Sequence, residues 1–153
     1  MTITHSGREV ATQDQASKKR KLISDGLGRV VEVVEDPTGT PLSTTYQYNV
    51  FDKLVKSTQT DTSVTPNVTQ NRFWLYDAAG RSIAARFPEQ TATPYSITDD
   101  VSGNNSWSQK WVYDAAGNVT QSHDPRSISV LYGYDELSRM IGYKLVGKIN
   151  PVF

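Results

Sequence analysis

A phrase of six residues recurs along this chain, and that recurrence sets the architecture before any single residue is weighed. It reads YDAAGR from Tyr76, YDAAGN from Tyr113 and YDELSR from Tyr134, with looser copies from Tyr48 (YNVFDK) and Ser24 (SDGLGR). Five copies within 153 residues mark a repeat protein. With the second residue of the phrase as origin, the copies stand at Asp25, Asn49, Asp77, Asp114 and Asp135, at spacings of 24, 28, 37 and 21 residues. The shortest spacing is the bare unit. The longer ones carry insertions, one near 61–70 around Pro66 and one over 89–108, rich in Thr, Ser, Asn, Asp and Gly.

The positions one and three before the origin are aromatic in four copies: Tyr48 and Tyr46, Tyr76 and Trp74, Tyr113 and Trp111, Tyr134 and Tyr132. Residues two apart on a strand share a face, so each unit opens with a strand that lays two rings on one surface. Gln47, Leu75, Val112 and Gly133 then face the other way. Three residues after the origin stand Gly28, Gly80 and Gly117, or Asp52 and Ser138. Asp-x-x-Gly between extended runs predicts a tight hairpin with the glycine at positive φ and the Asp side chain bonding backbone N–H groups of the turn. Short aliphatic or β-branched strands follow, such as Arg29 to Val34 and Arg81 to Ala84. A second turn closes the unit at Asp36-Pro37 and Asp124-Pro125. The 11 residues from Asp124 to Asp135 equal those from Asp14 to Asp25, which assigns Asp14 the same role. No stretch keeps a helical period; Gln13 to Leu22 comes nearest. The expectation is an all-β protein of stacked β-hairpin repeats forming a twisted antiparallel sheet over 14–145. An extension (1–13) precedes it and a tail (146–153) follows.

Composition narrows the rest. Apolar residues are 37% of the chain, so the core must be thin and built on eight Tyr, three Trp and four Phe, with the aromatic face inward and the polar face outward. Sixteen basic residues balance sixteen acidic ones, which gives no pull toward nucleic acid or an anionic membrane surface. With no cysteine, disulfides and thiolate zinc sites are excluded and redox chemistry says nothing of compartment. The opening MTITHSGREV has no apolar run, and no stretch is long enough to cross a bilayer. The expected setting is therefore cytoplasmic, or part of a secreted or cell-surface parent.

Five groups of residues admit a functional and a plainer reading. Arg29, Arg81 and Arg139 follow the turns; they make either a basic ladder for anionic sugars or partners for the turn carboxylates. Exposed rings form either a sugar-stacking platform or the core face. Trp107 lies in the insertion, outside the repeated pair, and is the residue expected to contact a ligand if the chain is a binding module. Lys18-Lys19-Arg20-Lys21 is either a recognition run or a solvated strand edge guarded by charge. His123 beside Asp124 has the makings of a general base, without a nucleophile motif to serve. Asp99, Asp100, Asn104 and Asn105 around Gly103 offer oxygen ligands to Ca²⁺, but their spacing fails the EF-hand pattern.

The phrases YQYN, FWLYDAAGRS, KWVYDAAGNVT and LYGYDELSRMIGY, with SDGLGRVVEV as a partial copy, resemble the RHS or YD repeat family, whose unit reads roughly G-x-x-x-x-Y-x-Y-D-x-x-G-R-L-T. The resemblance runs from about Asp14 to about Tyr143. It implies hairpins joined into a long antiparallel sheet that spirals into a hollow shell, as in bacterial polymorphic toxins, insecticidal toxin complexes and teneurins, where the toxin shells enclose an effector. The chain is far too short to close such a shell, and its tail resembles neither the family's self-cleaving core nor a toxin domain, so it reads as a partial YD-repeat shell: a shell fragment, a truncated family member or a small separately encoded piece.

The expected role is structural, with no catalytic residue, cofactor or metal. The residues expected to hold the repeat are Asp25, Gly28, Asn49, Tyr76, Asp77, Gly80, Tyr113, Asp114, Gly117, Tyr134 and Asp135. Expected partners are further YD repeats or an effector domain of a larger parent, with self-association through open strand edges. A carbohydrate- or protein-binding module using exposed aromatics is the alternative, with a glycan as its ligand. Neither nucleic-acid binding nor membrane insertion is expected.

Overall fold

The computed structural model describes residues 1–90, 95–99, 101–103 and 106–147. Every regular element among them is a β-strand. The chain divides into two units, Met1–Arg72 and Phe73–Phe153. The first holds β1 (Thr2–Ser6), β2 (Glu9–Gln13), β3 (Lys19–Ser24), β4 (Val30–Glu35), β5 (Leu42–Tyr48) and β6 (Leu54–Asp61), each antiparallel to the next. β7 (Val68–Tyr76) carries the chain from one unit into the other. The second continues with β8 (Ser82–Arg86), β9 (Tyr95–Ser96), β10 (Ser106–Trp107), β11 (Gln109–Tyr113), β12 (Val119–His123), β13 (Ser129–Tyr134) and β14 (Met140–Val146). Its sheet order is β7-β8-β11-β12-β13-β14, while β9 and β10 form a separate two-stranded pair among the described residues. The expected all-β stack of antiparallel hairpins is what the chain forms, and it is open: among the described residues β1 and β14 are each paired on one side only.

Each repeated phrase closes a hairpin in the same way. The origin's N–H donates to the carbonyl four residues on (Asp25 to Arg29, 2.8 Å), and the third residue's N–H donates back to the origin (Gly28 to Asp25, 3.1 Å). The third residue is left-handed in every copy, with φ of +81°, +76° and +92° at Gly28, Gly80 and Gly117 and of +58° and +60° at Asp52 and Ser138. This is the three-residue hairpin loop that ends in an αL residue.

A second irregularity repeats as faithfully. Ile23 faces Glu32 while Ser24 faces Val30, which leaves Val31 as one extra residue on β4. Val55, Ile83, Thr120 and Ile141 are extra in the same place, six residues after their origins. Such a bulge bends its strand, increases the local twist and shifts the in-out alternation by one.

Two expectations about the N-terminus change. Residues 1–13 are not an appendage. They form a hairpin whose two-residue loop, Gly7-Arg8, puts the glycine at φ +59°, and its second strand pairs with β3. The run Lys18–Lys21 is therefore not a strand edge: Arg20 stands between Thr12 and Glu35, and Lys21 Nζ lies 2.8 Å from Glu9. Gln13–Leu22 supplies the end of β2, a turn and most of β3 rather than a helix.

The core also differs from expectation. In the first unit the pairing Leu22–Val33–Thr44 leads to the face of Tyr46, and the buried Val33 and Ser57 lie on it. In the second unit the main cluster lies on the other face. Phe73 and Leu75 alternate with Trp74 and Tyr76, Ala84 faces Leu75, and Trp107 completes the cluster with Ile97 and Val101. The insertion returns across this face and covers it, so the face expected to be polar holds the deepest packing. The paired rings on the opposite face are only half-buried.

Candidate functional site: the turn and its tyrosine clasp

The repeated residues converge on one another. In the first hairpin, Asp25 Oδ1 accepts the N–H groups of Leu27 (2.9 Å) and Arg29 (3.0 Å), while Oδ2 accepts Arg29 Nε (2.7 Å). Asp77 repeats the set with Ala79, Arg81 N–H and Arg81 Nε, and Asp135 with Leu137, Arg139 N–H and Arg139 Nε. Asn49 accepts the N–H groups of Phe51 and Lys53, and Asp114 takes Asn118 through both backbone and side chain. The connecting turns use the same device: Asp14 accepts Lys18 N–H, and Asp124 accepts Arg126 and Ile128 N–H, with Ser17 and Ser127 left-handed.

The fourth residue after the origin also reaches the next hairpin. Arg29 Nη1 meets Asp52 Oδ1 at 2.5 Å, Arg81 Nη1 donates to the Asp114 carbonyl at 3.3 Å, and Asn118 Nδ2 donates to Ser138 Oγ at 3.1 Å. The next hairpin answers with its tyrosine. Tyr48 Oη donates to the Val30 carbonyl (2.9 Å), Tyr113 Oη to Ser82 (2.7 Å) and Tyr134 Oη to Val119 (3.0 Å). Each acceptor is the fifth residue after the previous origin. The Arg29 guanidinium stands 5.0 Å from the Tyr48 ring centre, and that of Arg81 4.6 Å from the Tyr113 ring centre. Tyrosine, arginine and carbonyl thus form a clasp between successive hairpins.

The carboxyls of this framework are held below their usual range. At Asp25 desolvation pushes upward, and the Arg29 guanidinium with the Arg29 and Leu27 N–H donors outweighs it. At Asp77 and Asp135 the largest cause is the N–H bond from Arg81 or Arg139, and at Asp114 it is the Asn118 side chain. Hydrogen bonds to the charged form account for all four.

Sequence reasoning named the Asp, Gly and Tyr positions but missed the carbonyls at Val30, Ser82 and Val119 and the roles of Asp52 and Ser138. The last two carried a signal: a residue other than glycine at a left-handed position invites a search for what its side chain bonds.

The other candidates resolve differently. Trp107, the expected ligand contact, is 0% exposed; its Nε1 donates to Asp99 Oδ2 at 3.0 Å, so it presents no ring to a ligand. The adjoining Ser108 Oγ bonds the Ala85 carbonyl (3.1 Å) and Gln90 (2.9 Å) and ties the insertion down. Asp99 also accepts from Val101 and Ser102; Asp100, Asn104 and Asn105 lie outside the described residues, as do 148–153 of the expected tail. Among the described residues no group of three metal-ligating side chains occurs. His123 Nδ1 lies 2.7 Å from Ser129 Oγ and its ring 4.9 Å from that of Tyr95, whose hydroxyl donates to the Asp124 carbonyl. Asp124's carboxylate is engaged by Arg126 and does not orient the imidazole. Burial, followed by the charge of Lys110, lowers the His123 pKa.

A protein-family model described as RHS Repeat matches residues 113–145, from the tyrosine of the fourth phrase through the fifth hairpin. No curated protein matches the chain.

Proposed function

We propose, from the match of residues 113–145 to the RHS Repeat family model and the hairpins that repeat the same device, that the chain is a structural segment of an RHS/YD-type shell or scaffold, of the toxin-encapsulating or cell-surface kind. Its repeated side chains join hairpin to hairpin and perform no chemistry. The observation that supports this is the use made of the signature: its Asp, Arg and Tyr groups bond to one another and to the adjacent backbone. The partners are further repeats, or an effector domain, of a larger assembly. The binding-module alternative relied on Trp107, which is buried, and on ring faces that Arg29 and Arg81 cover in two of the repeats.

The test is a double variant, Arg81→Ala with Tyr113→Phe, followed by urea denaturation and a glycan array. The expected result is a stability loss of about 2–3 kcal/mol, from the Tyr113–Ser82 hydrogen bond, the cation–π contact and the bonds of the Arg81 guanidinium to Asp77 and to the Asp114 carbonyl, with no selective glycan signal in the unsubstituted chain. Unchanged stability together with selective glycan capture, lost in the variant, would sink the scaffold reading.

A further inference from the structure

The inner hairpins define what the outer side of a hairpin's second strand receives. β4 offers the Val30 carbonyl and the Arg29 guanidinium and takes Tyr48; β8 offers Ser82 and Arg81 and takes Tyr113. β14 offers the same pair. Met140 is the fifth residue after Asp135, and Arg139 Nε lies 2.7 Å from Asp135 Oδ2, matching the 2.7 Å of Arg29 and Arg81. Among the described residues no tyrosine meets them. The Arg139 side chain is 74% exposed, against 27% for Arg29 and 35% for Arg81.

The strand beside this half-clasp is apolar and open. Met140 pairs with Tyr134, Tyr143 with Tyr132 and Leu145 with Val130, so all three lie on the aromatic face, and all three are exposed. Tyr143 is 68% exposed, whereas Val33, Ser57 and Ala85, which hold the same place eight residues after their origins, are buried.

We propose that β14 is a docking edge for an extended strand carrying an aromatic residue two places before a Tyr-Asp pair, whose tyrosine bonds the Met140 carbonyl and lays its ring against Arg139. The inference rests on the scaffold reading and names the chemistry of its partner. Continuity with the inner clasps selects this occupant over a second copy of the chain. A copy's open edge at β1 carries Ile3 and His5 on the corresponding face, traced through His5–Val10–Leu22, and no tyrosine. Such a copy can pair backbones but cannot close the clasp. The mode is strand addition, with main-chain bonds for affinity and one side-chain site for choice of partner.

The full chain is titrated with a labelled synthetic peptide of its own residues 109–123, which contains Trp111, Tyr113 and Asp114. Anisotropy is read for the unsubstituted pair, for the peptide with Tyr113→Phe and for the chain with Arg139→Ala. Saturable binding is expected, weakened roughly fivefold by loss of the hydroxyl and roughly threefold by loss of the guanidinium. Arg139 is largely exposed, so its variant keeps the fold, checked by an unchanged circular dichroism spectrum. Absence of saturable binding overturns the proposal. So does binding indifferent to both substitutions, which is the behaviour of plain edge pairing or of a second copy. If the inner double variant loses stability while the peptide fails to bind, only the edge inference falls; if that variant keeps full stability and loses a selective glycan signal that the unsubstituted chain shows, the scaffold reading falls with it.

Discussion

At the scale of single residues, the repeat depends on one left-handed position and one hydroxyl. Gly28 sits at φ +81° with nothing within 4 Å of where a Cβ would stand, so Gly28→Ala isolates the backbone cost. A loss of roughly 1–2 kcal/mol is expected in urea denaturation, without a change in fold. Tyr134→Phe removes only the bond to the Val119 carbonyl and should cost about 1 kcal/mol by the same measurement. The Asp, Gly and Tyr positions were legible because each is a letter that recurs. The other half of the clasp was not. Its acceptor is a main-chain carbonyl, which any residue supplies, so Val30, Ser82 and Val119 share no letter. The arginine and its tyrosine also lie at different separations, Arg29 to Tyr48 and Arg81 to Tyr113, because an insertion falls between the second pair.

At the scale of elements, the insertion between β8 and β11 changes which face is core. Trp107 buries a ring of roughly 200 Å², worth up to about 5 kcal/mol at 25 cal/mol per Å². Trp107→Ala is expected to cost about 3–5 kcal/mol in urea denaturation. Ala84→Leu should cost about 1–3 kcal/mol, because the methyl lies fully buried in the same cluster and a larger side chain has no room. The strands and turns could be read from the phrase. The insertion's packing could not, since its own sequence is polar and irregular. One trace existed: seven residues after the origin three copies have the long polar Glu32, Lys56 and Gln121 and the exposed last copy has Gly142, but the third has an apolar Ala84, where a covering segment leaves no room for a long side chain. The five bulges were invisible, because an extra residue in a short strand reads as ordinary aliphatic sequence.

At the scale of the molecule, two classes of group set the response to acid. His123 is held below 6.5, first by burial and then by Lys110, so the folded chain favours its neutral form. The stability it allows is fully present above pH 6.5 and is lost as the pH falls through the lowered value. The turn carboxyls lie below 3.8, so their contribution holds above that pH and fades only as the pH drops through their depressed values. Urea midpoints from pH 8 to pH 2 should therefore fall in two stages, and His123→Gln should abolish the first. A single decline confined to the acid range would show that the imidazole contributes nothing. The all-β class and the open ends were readable from the repeat. The starting point of the sheet was not, because the Gly7 hairpin carries none of the phrase.

Tyr48, Tyr113 and Tyr134 are each held by the hairpin before their own, so the covalent repeat and the mechanical repeat are out of phase. Cutting the chain between hairpins severs the lock, whereas cutting within a turn leaves it whole. Anyone who splices, permutes or lengthens such an array therefore has a rule for where to cut. The portable cassette runs from one turn to the next, from Asp77 to Asp114 for instance, and carries its own Arg81, Ser82 and Tyr113 together.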